Sequence, residues 1–145
     1  PEARIYLVGD DACQLLEQGW EEEWRVCGLS GKLSIRETLA LAQECSLVVG
    51  PETGVLNAVM MDENPHKVLL LSHSSKNNLA KHGVNTQALE PEACACYPCH
   101  QLHYSAEFCD IDENTGAARC AVNIDAAMIY EAVERVYKTW KRRKK

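Results

Sequence analysis

The sequence predicts an α/β fold: a parallel sheet with helices on both faces, followed by a cysteine-rich irregular segment and a C-terminal helix. Three observations predict it. Short, solid apolar runs such as Leu47-Val48-Val49 and Val68-Leu69-Leu70-Leu71 alternate with stretches of helix-like composition. Strands apolar on both faces belong to parallel sheets covered on both sides. After Pro91 the alternation stops, and residues 92–123 hold five of the eight cysteines.

Arg4 to Val8 is an apolar strand ending at Gly9. Asp10 and Asp11 follow, and Asp11 is placed to cap a short helix that stops near Gly19. Trp24 to Cys27 is a second strand, closed by Gly28, with a loop from Leu29 to Leu33. Ser34 and Glu37 form a capping box, so a helix runs from there to about Glu44, with Ile35, Leu39 and Ala42 on one face.

The stretch Cys45–Asn57, CSLVVGPETGVLN, is the centre of the reading. Its strand Leu47–Val49 meets a turn at Gly50-Pro51, and a helix starts at Thr53-Gly54 and continues through Met61. The first N–H groups of a helix lack internal partners and carry the positive end of its dipole. Thr53 and Gly54 add a hydroxyl and no bulk, so the corner suits a phosphate or a polar sugar. Glu52 supplies a carboxylate for sugar hydroxyls. On the motif alone, a plain helix cap at Thr53 and a solvated Glu52 explain the same residues.

Asn64-Pro65 stops that helix. Lys67 to Leu71 is another strand, Ser72 to Ser75 a polar loop, and a short helix stops at Gly83. In a parallel sheet, ligands sit beyond the carboxyl ends of the strands. The expected sheet therefore gathers Gly9-Asp10-Asp11, Gly28, Glu52-Thr53-Gly54 and Ser72–Ser75 on one edge. Asp125 caps the last helix, whose apolar stripe is Ile129, Val133, Val136 and Trp140. The organisation expected is one domain over residues 1–140, with the cysteine-rich insertion at 92–123 and a basic tail at 141–145.

The chain has 21 acidic and 15 basic residues, a net charge of −6, and residues 141–145 are all basic. Setting those five aside leaves 10 basic residues and a body at −11, a poor surface for nucleic acid. The tail offers a peripheral contact to anionic lipid, or is a solvated helix end. No run of eighteen apolar residues exists, which excludes a membrane-spanning helix. No secretory signal is visible, and the chain opens on Pro1-Glu2 as a piece of a longer protein would. The cysteine usage reads as cytoplasmic.

Cys94, Cys96, Cys99, Cys109 and Cys120 crowd one region, with His100 and His103 nearby. Cys96, Cys99, Cys109 and Cys120 are enough thiolates for a structural zinc site. Disulfides and free thiols remain alternatives, because the second pair is split by ten residues. His66, His73 and His82 are isolated and read as surface residues.

The run LSIRETLALAQECSLVVGPETGVLN resembles the central segment of glycosyltransferase family 9, the ADP-heptose:lipopolysaccharide heptosyltransferases and their relatives. There a Ser-Leu-x-Glu helix leads to an apolar strand and then to Asp-Ser/Thr-Gly-x-x-His. Cys96-Tyr97-Pro98-Cys99 is similar to a cysteine pair that members often carry before the final helix. The resemblance covers about Arg4 to Tyr137. It implies a Rossmann-like sheet, the C-terminal half of a GT-B glycosyltransferase, and a nucleotide-diphosphate sugar of the ADP-heptose kind as donor, with no required cofactor.

By the same resemblance, Glu52 stands where the family has a sugar-contacting Asp. Thr53 and Gly54 match the residues beside the diphosphate, and Val55 belongs to the same donor-binding set. Asn57 stands where the family has His, and Ser72–Ser75 replaces a Gly-Pro-Thr loop. Leu33 falls near a position that packs on the base, and Asp10 and Asp11 lie in a loop that comes near the ribose. The catalytic base would lie in an N-terminal acceptor-binding lobe of the same parent protein, at the cytoplasmic face of the inner membrane. This chain alone is not expected to turn over. The reading that competes with a donor-binding lobe is a non-catalytic module that kept the fold, with zinc as its staple.

Overall fold

The computed structural model describes residues 3–101 and 108–143. The chain divides into two compact units, residues 1–41 and 42–145. It is an α/β protein with every strand pairing parallel, but the strands form two small sheets rather than one.

In the first unit, β1 (Ile5–Leu7) pairs with β2 (Val26–Gly28), and a 3-10 helix, Asp11–Glu17, joins them. Asp10, not Asp11, caps this helix: its Oδ1 accepts from the Cys13 N–H at 3.2 Å. The tight 3-10 winding brings the residue before Asp11 within reach of that amide. Two strands cannot bury much apolar surface, and Ile5, Leu15, Leu16, Trp20 and Trp24 are all exposed.

α1 (Ile35–Glu44) begins with the expected capping box. The Ser34 N–H donates to Glu37 Oε2 at 2.8 Å, and the Glu37 N–H donates to Ser34 Oγ at 3.3 Å. Ala42 on its expected face is buried, whereas Ile35 is exposed.

The second unit is a three-stranded sheet in the order β3 (Leu47–Pro51), β4 (His66–Leu70), β5 (Thr86–Leu89). Its central strand explains the covered faces. Leu69 and Leu71 join Leu56 and Met60 on the side of α2 (Gly54–Ala58), with Val48 and Tyr97 against them. Val68 and Leu70 point the other way. There they meet Ile124 and, from α5 (Ala126–Arg143), Met128, Ile129, Ala132 and Val136. Period-two alternation in β4 thus feeds two helical layers. β5 escapes a hydropathy reading because in Thr86-Gln87-Ala88-Leu89 only Leu89 is buried.

Two elements differ from expectation. α2 ends at Ala58 rather than near Met61. Within α5 the fully buried residue is Ala132, which lies outside the expected stripe and packs with Val68, Leu89 and Ile124. α3 (Lys76–Leu79) and α4 (Arg119–Val122) are single turns. Lys67, at the start of β4, is completely buried; its Nζ donates to the Asp62 carbonyl at 2.6 Å, and burial pulls its pKa down against the pull of Asp62. Among the described residues no helix is long and apolar enough to cross a membrane.

Candidate functional site

The carboxyl edge of the three-stranded sheet carries the densest polar chemistry of the second unit. β3 ends at Pro51, and Glu52 follows as the link to α2. Thr53 is the N-cap of α2, exposed, and its side chain makes no capping bond. Gly54 opens the helix with clear space where a Cβ would sit. The first internal bond of α2 is donated by Asn57 to the Thr53 carbonyl at 3.0 Å, so the N–H groups of Gly54, Val55 and Leu56 precede it. Val55 is half-buried, Leu56 is buried in the core and Asn57 is exposed. With five residues, α2 has only a small dipole; what it offers a ligand is open space and main-chain donors.

Glu52 is not solvated. Its side chain is 4% exposed. Oε1 accepts the consecutive N–H groups of Ser72, His73 (3.0 Å) and Ser74 (3.2 Å), so the loop after β4 wraps a carboxylate in a nest of amides. Burial pushes this carboxyl up, but those amides and the Ser74 hydroxyl outweigh it and hold the pKa below the ordinary 4.5. Oε2 is buried without a hydrogen-bond donor. His73 Nδ1 stands 3.3 Å from it, at ion-pair distance but without hydrogen-bond alignment.

The same edge takes residues that the sequence left aside. Glu90 follows β5, and its Oε1 accepts the Tyr97 hydroxyl at 3.0 Å and the Lys76 N–H at 3.3 Å. Burial, then Glu90, then Glu52 raise the Tyr97 phenol well above its usual value, so it stays a donor. The His100 N–H donates to the His73 carbonyl at 2.9 Å. Tyr97 and His100, from the start of the cysteine-rich segment, are therefore tied to the strand ends. His73, read as an isolated surface residue, is central to the edge. Its sequence signal was its place in a polar loop directly after an apolar strand.

Asp10, Asp11 and Leu33 lie in the first unit. Asp10 caps the 3-10 helix, Asp11 is exposed, and Leu33 is half-buried just before α1. Around them the loops are filled from within. The Asp11 carboxylate crowds the place of a Cβ on Gly31, whose φ of +70° also demands glycine. The Ser30 N–H donates to Glu17 Oε1 at 2.8 Å, and Gln14 Nε2 donates to the Ser30 carbonyl at 3.2 Å. An open cleft of about 420 Å³ remains, lined by Gln14, Glu17, Trp20, Glu21 and Lys32 together with Gly28, the one lining residue that the sequence placed on the ligand edge.

None of the eight cysteines is in a disulfide. Among the described residues no three His, Cys, Asp or Glu side chains converge on a metal position; this holds for Cys96, Cys99, Cys109 and Cys120, while His103 lies outside the described residues. Cys94 and Cys96 do meet, with sulfurs 3.5 Å apart. Hydrogen bonding to Cys94, then desolvation, raises the Cys96 thiol, and Cys99 adds to this. Burial raises Cys120, with Cys96 and Cys109 contributing. Arg119 anchors the neighbouring turn through Asp110, with Nε to Oδ2 at 2.7 Å.

No family model, no curated protein and no solved structure matches this chain.

Proposed function

We propose that residues 1–140 form the sugar-nucleotide-binding lobe of a heptosyltransferase-like glycosyltransferase, with a Rossmann-like arrangement of strands and helices. The observation that carries this reading is Glu52 Oε2: a buried carboxylate oxygen without a donor, next to the exposed Thr53-Gly54 corner. A buried acceptor without a hydrogen bond is costly, and the one group at ion-pair distance from it is His73 Nδ1. A sugar hydroxyl that displaces the His73 ring would satisfy it, while the adjoining main-chain N–H groups meet a phosphate oxygen. In such an enzyme an acceptor hydroxyl attacks the anomeric carbon of the donor. The bond to the diphosphate breaks, and amides stabilise the charge that grows on the leaving oxygen. The acceptor and the base would come from a second lobe.

One observation favours the other reading, a binding or structural module without catalysis. Glu52 Oε1 is wholly engaged by the Ser72–Ser74 loop, as a structural anchor would be.

Titration of the labelled chain with ADP-sugars, UDP-sugars and the free nucleotides, followed by amide shifts, separates the two. Saturable shifts at Glu52 to Leu56, larger with the sugar nucleotide than with the nucleotide alone, are expected for the donor lobe. Silence at those amides with every nucleotide removes that reading and leaves the structural module.

A further inference from the structure

The strongest unexplained chemistry outside the Glu52 corner is the Cys94–Cys96 pair. The sulfurs are 3.5 Å apart, in hydrogen-bond contact, and separated by one residue. A disulfide bond is about 2.05 Å long, so bond formation asks for an approach of roughly 1.5 Å. Cys96 is exposed and Cys94 half-buried, so a small reagent reaches the pair from solvent. Ala93 and His100 both hold a left-handed backbone, at φ 50° and 53°, and bracket the segment in a tight loop.

The thiolate is the nucleophile in thiol–disulfide exchange, and the pair offers two sulfurs within one residue of each other, one of them exposed. A soft metal ion is the competing occupant of such a cluster, but among the described residues no group of three His, Cys, Asp or Glu side chains is placed to hold one.

We propose that Cys94 and Cys96 form a redox-active dithiol, oxidised to an intramolecular disulfide by low-molecular-weight disulfides such as that of glutathione. One of the two sulfurs, as thiolate, attacks one sulfur of glutathione disulfide. That S–S bond breaks, and one glutathione leaves as a thiolate and takes up a proton. The other cysteine then loses its proton to solvent and attacks the protein sulfur of the mixed disulfide. The mixed disulfide breaks, and the second glutathione leaves in the same way. The dithiol gives up two electrons and two protons, and one glutathione disulfide becomes two thiols. The new ring lies directly before Tyr97, which packs on the Leu56–Met60 core and holds Glu90, so oxidation is felt at the strand edge. This inference does not depend on the sugar-nucleotide reading.

The reduced full chain is incubated with glutathione buffers of graded ratio, quenched with an alkylating reagent and mapped by mass spectrometry. Expected is the loss of two alkylatable thiols, release of two glutathiones for each disulfide consumed, and a bridge mapped to Cys94 and Cys96. Neither Cys94→Ser nor Cys96→Ser forms the bridge, and each halts at a mixed disulfide on the cysteine of the pair that remains. Should Cys96→Ser fail to fold, mapping of the wild-type chain decides alone. The proposal is overturned by a bridge between other cysteines or by both thiols surviving the most oxidising buffer. It is equally overturned by one equivalent of zinc in the purified chain that shields the pair until chelated.

Discussion

Replacing Glu52 with alanine lowers the stability of the chain by about 3 kcal/mol. The wild-type carboxylate accepts three successive main-chain N–H groups and is almost fully buried, so water cannot take its place at once. Hydrogen bonds to a charged group contribute roughly 1.5–3 kcal/mol each when broken one-sidedly. The loop is short and can open to solvent, which recovers part of that sum. Glu52→Gln keeps an acceptor and loses the charge, so its cost falls between wild type and alanine. Urea unfolding at neutral pH measures both.

Acid gives a second reading of the same contact. The folded-state pKa of Glu52 lies below its ordinary 4.5, so near and below that value the unfolded chain binds more protons than the folded one. The stability Glu52 contributes is complete above 4.5 and is lost as pH falls through the folded pKa. The gap between wild type and Glu52→Ala should therefore narrow on acidification. A gap that stays constant down to the lowest pH at which both fold would mean that charge has no part in the anchor.

Leu69→Ala is expected to cost a similar amount, about 3 kcal/mol, by leaving a cavity in the α2 layer. Leu69 is on the central strand, fully buried, and clusters with Leu56, Met60 and Leu71. Its loss reaches the candidate site through Leu56, two residues from Gly54, so exchange of the Leu56 amide should quicken as well. Leu16→Ala is the control: Leu16 is 72% exposed, and its replacement should stay within about 0.5 kcal/mol. Equal urea midpoints for the two variants would contradict the packing described for the α2 face.

The central strand was legible because burial on both sides writes itself as an unbroken apolar run, Val68 to Leu71, whereas the similar run in β3 leaves Val49 exposed. The capping box at Ser34 and Glu37 was legible because it is a local hydrogen-bonding pattern. β5 was not, since its side chains are small or polar and its place is fixed by main-chain pairing to β4. The separation of β1 and β2 into their own sheet was also invisible, because strand order depends on contacts between segments far apart in sequence. At the candidate site, the turn Glu52-Thr53-Gly54 was legible as chemistry, but the occupation of Glu52 by a loop twenty residues downstream was not. Tyr97 was hidden between cysteines that drew the attention to metal.

The sealed ammonium of Lys67 makes it a built-in clock. Amine-modifying reagents label surface lysines within their ordinary reaction time, but they reach Lys67 only in molecules whose sheet has come apart. A time course of reductive methylation, read residue by residue, should show Lys67 last among the lysines. Its lag would then report how often the structure around the Asp62 carbonyl opens, without any denaturant.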